Sequence, residues 1–286
     1  MIGPVVDAHH HVWDLAVRDQ EWITGSAMAP IRRSFDLAQL RPQAEAAGVV
    51  ATVVVATQAV SDETPELLAL ADTDPLVAGV VGWVDLTAPS VADDLARLRE
   101  APGGRWLRGV RHLVQAEPDP EWLCRPDVVR GLRAVAAAGL VYDLLTVPHQ
   151  LPAAIRAARE VPGGRFVLDH CSKPPAAAGR LEPWATDLRT LAAEPNVTCK
   201  LSGLVTEADW ARWTVTDLVP YADVVLDAFG AGRVMFGSDW PVCLLAAGYA
   251  QVVDVARQLL AGASDTERHQ VLAGTATAVY GPFAAG

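Results

Sequence analysis

Eight short apolar runs recur along the chain, at about residues 5–12, 49–57, 78–85, 106–112, 139–145, 165–170, 196–202 and 233–238. Each is rich in Val and Leu and too short for a typical helix, which predicts strands. Between them lie longer stretches with apolar residues every three or four positions, as in Ser90–Glu100, Pro126–Ala138 and Pro152–Glu160, and these predict helices. A strand that is apolar throughout must be covered on both faces, so strict alternation with helices implies a parallel sheet wrapped by them. Eight such units suggest closure, and 286 residues are near the roughly 250 of a (β/α)8 TIM barrel. An open doubly wound sheet is the alternative. No low-complexity tract or linker breaks the pattern, so residues 1–286 are expected to form a single domain. The repeated Pro102-Gly103-Gly104-Arg105 and Pro162-Gly163-Gly164-Arg165 tetrads fit helix stops. The weakly periodic segment 15–35 fits a loop over the barrel mouth.

Composition narrows the function classes. Hydrophobic residues make up 51% and charged residues 20%, which excludes a disordered chain. A net charge of -11 argues against nucleic-acid binding, since little here would displace counterions from phosphate. The longest apolar run, 46–56, is well short of the roughly 18 residues of a membrane span. The N-terminus reaches its first strand without a secretory pattern, and Cys124, Cys171, Cys199 and Cys243 lack C-x-x-C spacing. Reduced thiols and a cytoplasmic location are expected. The sequence does not specify an oligomeric state.

Barrel chemistry lies where strands end, and here the ends are polar. They carry His9 and His11, Gln58, Trp83 and Asp85, Arg111 and His112, Asp143, His170 and Lys173, Lys200 and Ser202, and Asp239 with Trp240. On a strand, His9 and His11 project from one face and His10 from the other. Two adjacent imidazoles suit a divalent cation or a polarised carbonyl. Lys173 and Lys200 are the only lysines among 23 basic residues, and both fall at strand ends, where a compact ammonium is useful. Asp239 can orient or deprotonate a water, although Ser-Asp is also a helix-start signal. No G-x-S-x-G, H-E-x-x-H or P-loop motif is present, and Gly230-Ala231-Gly232 precedes a strand rather than following one.

Read together, Asp7-Ala8-His9-His10-His11-Val12-Trp13-Asp14, Val81-Gly82-Trp83-Val84-Asp85-Leu86, Gly109-Val110-Arg111-His112, Leu168-Asp169-His170-Cys171-Ser172-Lys173-Pro174, Lys200-Leu201-Ser202-Gly203-Leu204 and Phe236-Gly237-Ser238-Asp239-Trp240-Pro241 resemble the amidohydrolase superfamily. The resemblance spans essentially the whole chain and is closest to the sugar-lactonase branch. It implies a distorted (β/α)8 barrel that hydrolyses a small lactone, with His9 and His11 as the first-strand pair, His170 as the sixth-strand histidine and Asp239 as the eighth-strand aspartate. One departure stands out. Metal-dependent relatives place a histidine or carboxylated lysine at the fourth or fifth strand end, whereas Tyr142-Asp143-Leu144-Leu145-Thr146 offers neither and His149 comes later. The implied cofactor is therefore one divalent metal, zinc or manganese, on His9, His11 and Asp239, with His170 as the alternative to Asp239 in completing the set, or none at all.

For lactone opening these residues suggest Asp239 as base on water, His9 and His11 polarising the carbonyl directly or through a metal, and His170 passing the proton. Lys173, Lys200, Arg111 and Asp143 are expected around the substrate, with Trp13, Trp83 and Trp240 stacking on a sugar ring. The expected partner is a small-molecule lactone, with no nucleic acid and no membrane. The rival readings are a metal-dependent decarboxylase or amide hydrolase of the same superfamily and, more remotely, a non-catalytic binding barrel.

Overall fold

The computed structural model describes residues 3–283. Each expected apolar run overlaps one strand: β1 (Val5–His10), β2 (Val49–Val55), β3 (Val77–Gly82), β4 (Leu107–His112), β5 (Val141–Leu144), β6 (Arg165–Leu168), β7 (Val197–Leu201) and β8 (Val234–Phe236). Successive strands pair in parallel in chain order, forming one eight-stranded sheet. Helices such as Val91–Glu100, Pro126–Ala137 and Leu151–Glu160 return the chain, and their apolar stripes bury the outer face of the sheet. The two Pro-Gly-Gly-Arg tetrads occupy the turns that lead into β4 and β6. No helix among the described residues is long and apolar enough to cross a membrane.

Closure is completed by the segment after β8, a strand of three residues. The Asp239 N–H donates to His9 O at 2.8 Å, and the His11 N–H donates to Trp240 O at 2.6 Å. Asp7 reinforces this seam. Its carboxylate accepts from the Ser238 N–H at 2.8 Å, the Ser238 hydroxyl at 2.6 Å and the Tyr249 hydroxyl at 3.0 Å. Burial pushes Asp7 up to about 6, although the Ser238 hydrogen bonds oppose the shift. The two ends of the sheet are thus joined at its C-terminal edge, where strand-end chemistry would lie.

A bulge in β1 decides which histidines enter the barrel. Asp7 and His10 are three residues apart, but their partners Thr52 and Val54 on β2 are only two apart. The extra residue reverses the alternation of side chains. Val6 and Ala8 pack in the inner apolar cluster, and beyond the bulge His9 and His11 take the inward face. His10 turns outward, with Nε2 at 2.9 Å from the Thr52 hydroxyl, and burial lowers it to about 3. The lower barrel is filled by apolar residues, most of them small or branched, including Ala8, Val53, Val141 and Val167, with Met235 among them. Tyr280, on the helix Thr275–Tyr280, joins that cluster and donates its hydroxyl to Asp143 Oδ1 at 2.7 Å.

This packing predicts a graded loss. Tyr280→Ala should lower unfolding stability by about 3–5 kcal/mol through the cavity it leaves. Tyr280→Phe keeps the ring but leaves a buried Asp143 oxygen short of a donor, at about 1–3 kcal/mol. Urea unfolding of the two variants checks the order, and an equal loss in both would show that ring packing is not the larger of the two contributions.

Candidate active site

Four side chains meet at the top of the inner barrel. His9 Nε2 lies 3.2 Å from His11 Nε2, while Asp239 Oδ1 is 3.8 Å from His9 Nε2, 3.4 Å from His11 Nε2 and 3.8 Å from His170 Nε2. All four residues are buried. Surrounding hydrogen bonds define the ring orientations. His11 Nδ1–H donates to Val55 O at 2.7 Å, which leaves the Nε2 lone pair facing inward. His170 Nδ1 meets the Ser202 hydroxyl at 2.9 Å, and His9 Nδ1 lies 3.1 Å from the Lys200 ammonium and 3.3 Å from Asp169 Oδ1.

Burial drives the titration of this cluster. Desolvation holds His9 well below the usual imidazole range and lowers His170 to about 4, so both rings are neutral at pH 7. Burial alone would raise Asp239, but His170, His11 and His9 outweigh it and hold the carboxyl well below its ordinary range.

A layer of paired charge lies against these rings. The Lys200 ammonium is completely enclosed and lies 2.5 Å from Asp143 Oδ2, 2.9 Å from Asp169 Oδ1 and 3.1 Å from His9 Nδ1. Arg111 donates to Asp169 Oδ2 at 3.1 Å and to Ala56 O at 2.5 Å. Two cations therefore face two carboxylates. Burial raises Asp143 to about 6 against the pull of Lys200, whereas Lys200, His9 and Arg111 overcome the effect of burial on Asp169 and hold it low.

The backbone that presents His170 is unusual. His170, Cys171, Ser172 and Lys173 all have positive φ, between 51° and 56°, and Asp239 has φ 56°. Non-glycine residues take this region at a cost, so surrounding bonds must hold it. Cys171 O accepts the Trp184 indole N–H at 2.7 Å, and the Ser172 and Thr146 hydroxyls are 2.8 Å apart. Two glycines make room for the rings. A Cβ on Gly203 would lie 2.9 Å from His170 Cβ, and one on Gly237 would lie 2.8 Å from His9 Cβ.

Above the cluster opens a cavity of about 340 Å³. His11, His170, Asp239, Arg111 and Lys173 line it. Lys200 and Asp143 do not: both are fully enclosed and paired with each other, with Lys200 beside His9, rather than at the cavity wall. The three expected tryptophans are also elsewhere. Trp13 and Trp240 each pack against Phe35, and Trp83 donates to His112 Nδ1 at 3.0 Å, while His112 stacks on Trp122. Trp13 faces a separate cavity of about 510 Å³ that contains none of the histidines.

Trp22 and Met28 from segment 15–35, together with Trp210 and Glu207, supply cavity walls that strand-end reasoning missed. These residues come from loops and a short helix, where no sequence period marks them. Asp169 was also missed as a site residue, although a charge beside His170 at the end of an apolar run was a usable signal.

The donor set suits a divalent cation. His9, His170 and Asp239 offer ligand atoms that all lie within 4.8 Å of one another, and His11 Nε2 adjoins them. Inward lone pairs and a carboxylate converge, so a positive charge at that point satisfies all of them. The absent fifth-strand ligand does not remove this fit.

A family model described as amidohydrolase matches residues 6–281. The chain is 41% identical over 241 residues to an L-fucono-1,5-lactonase of Burkholderia ambifaria, covering 84% of this chain and 81% of that protein. It is 40% identical over 286 residues to an L-fucono-1,5-lactonase of Burkholderia multivorans, covering 96% and 95%. A crystal structure of an amidohydrolase from Burkholderia multivorans with bound zinc superposes with a TM-score of 0.91 at 39% identity, over 97% of this chain and 99% of that one.

Two outcomes follow from the enclosed charges. Lys200→Met should cost about 3–5 kcal/mol in urea unfolding because it strands buried carboxylates, and adding Asp143→Leu should recover part of the loss. A full loss retained in the double variant would separate Lys200 from Asp143. Independently, His170 falls from 6.5 to about 4 on folding, so its contribution to stability is complete above pH 6.5 and is lost as pH drops towards 4. In chelator-treated protein, His170→Asn should make the fall in stability across that window shallower by up to one proton, with His9 and His10 sustaining the remainder, and an unchanged pH slope would contradict the assignment.

Proposed function

Since the chain belongs to the amidohydrolase family, we propose that this barrel domain, spanning 1–286, opens a small sugar lactone by attack of water on the ester carbonyl, with Asp239 as the base. One observation carries the reading: an ionised carboxylate and the His11 and His170 imidazoles line a cavity, with the enclosed His9 ring beside them. The roughly 40% identity to two L-fucono-1,5-lactonases over most of the chain supports the same chemistry. The amide-hydrolase and decarboxylase readings have no comparable support.

Asp239 takes a proton from water as the oxygen attacks the carbonyl carbon. The guanidinium of Arg111 faces the negative charge that grows on the carbonyl oxygen. His170, 3.8 Å from Asp239, relays the proton to the ring oxygen as the carbon–oxygen bond breaks. The product is a hydroxy acid, which releases one proton at neutral pH. Because the His11 Nε2 lone pair points inward, that ring is better suited to hold a cation than to donate to a carbonyl. A zinc or manganese ion held by His9, His11 and Asp239, with His170 adjoining, would supply Lewis acidity and a more acidic water. The four free cysteines fit a cytoplasmic enzyme.

Proton release from five- and six-membered sugar lactones by chelator-treated protein, with and without added zinc or manganese, tests this proposal. Lactone opening under either condition supports it, and silence under both rejects it. Asp239→Asn should lower kcat by about 10²–10⁴-fold with the circular dichroism spectrum retained. Near-normal turnover in that variant would remove Asp239 from the mechanism.

A further inference from the structure

Four side chains that line the cavity carry formal charge: Arg111, Lys173, Glu207 and Asp239. Arg111 is paired with Asp169 and is assigned above to the carbonyl oxygen, so it is committed to the reacting centre rather than to another group on the substrate. Asp239 belongs to the reacting centre. Lys173 and Glu207 remain, on the wall above it, the first at the end of the left-handed turn after β6 and the second at the end of the short helix Leu204–Glu207.

Their separation is informative. Lys173 Nζ and Glu207 Oε1 are 3.9 Å apart, too far for a direct hydrogen bond. Both side chains remain about one quarter exposed, so neither is fully satisfied by the other. An ammonium only donates and a carboxylate only accepts, whereas a hydroxyl does both. A hydroxyl placed between them can therefore accept from Lys173 and donate to Glu207. Trp210 stands nearby on the cavity wall, and its indole N–H is tied to Thr206 O at 2.8 Å, so its ring is a fixed apolar surface for the carbon face of a sugar.

The same arrangement disfavours a substrate that carries a carboxylate. Such a group would be repelled by Glu207 and Asp239, while Arg111 is held by Asp169 and the Lys173 ammonium lies 3.9 Å from Glu207, whose charge offsets its attraction. We propose that Lys173 and Glu207 form a hydroxyl-reading clamp that selects neutral polyhydroxylated lactones and rejects lactones bearing a free carboxylate. This specificity role rests on the lactone-opening reading above.

The test compares a six-carbon aldono-1,5-lactone with the aldaro-lactone that carries a carboxylate in place of the terminal hydroxymethyl group. Wild-type kcat/KM should favour the neutral lactone by about a hundredfold, and Glu207→Gln should reduce that preference by about tenfold, mainly through KM. Lys173→Met should raise KM for the neutral lactone with little change in kcat. A preference that survives Glu207→Gln unchanged, with both rates lowered alike, would make the pair a structural tie and overturn the proposal.

Calorimetric binding of the ring-matched neutral lactam, which resists opening, separates the two levels. If the wild type opens no lactone yet binds the neutral lactam better than its carboxylated counterpart, and Glu207→Gln erodes that difference, the clamp stands and the catalytic reading falls. Lactone turnover with no such binding preference does the reverse.

Discussion

The site depends on the enclosed ammonium of Lys200. An ammonium with no exposed surface is tolerable only where carboxylates surround it, and Asp143 and Asp169 do so from β5 and the end of β6. Asp169 then recruits Arg111 and receives His9, while Asp143 is held from below by Tyr280. The pairing links strand ends across the barrel and leaves its interior balanced, with two cations against two anions. Above that layer Asp239 is the charge without a counter-ion, beside the His9 and His170 rings that burial keeps neutral. The local preference for a cation follows from this excess.

Strain is concentrated in the same place. Four consecutive non-glycine residues at positive φ are uncommon, and here they carry one catalytic candidate at the first position and the clamp lysine at the last. The turn is held by buried bonds to Trp184 and Thr146, so a single rigid device sets the spacing between the reaction centre and the substrate wall. Flexible side chains alone would set it less tightly.

The fold was legible because the strands fall in short runs rich in Val and Leu and the helices between them keep their period, so both signals are local. The convergence of His9, His11, His170 and Asp239 was legible for a similar reason, since strand ends of a barrel share one face. What escaped was not periodic. The bulge in β1 that turns His9 inward leaves no mark in the alternation of Val5 to His11, and the seam partner of Asp7 lies more than two hundred residues away at Ser238. Lys200 at a strand end looked like a substrate ligand because sequence gives position along a strand but not depth in the barrel. Trp13, Trp83 and Trp240 misled similarly: aromatic residues at strand ends serve packing as readily as stacking, and the walls came from Trp22 and Trp210 instead.

The seam that closes the sheet also has an evolutionary consequence. The hydrogen bonds that join β1 to the segment after β8 are made by the backbones of His9, His11, Asp239 and Trp240, so the mechanical fastening of the hoop and the reacting centre share residues. A substitution that lets this edge open transiently would separate Asp239 from His9 and His11 while the other strand pairs remain intact. Natural selection on turnover would therefore police the closure of the barrel, and drift towards a looser sheet would be removed as lost catalysis well before it became lost fold.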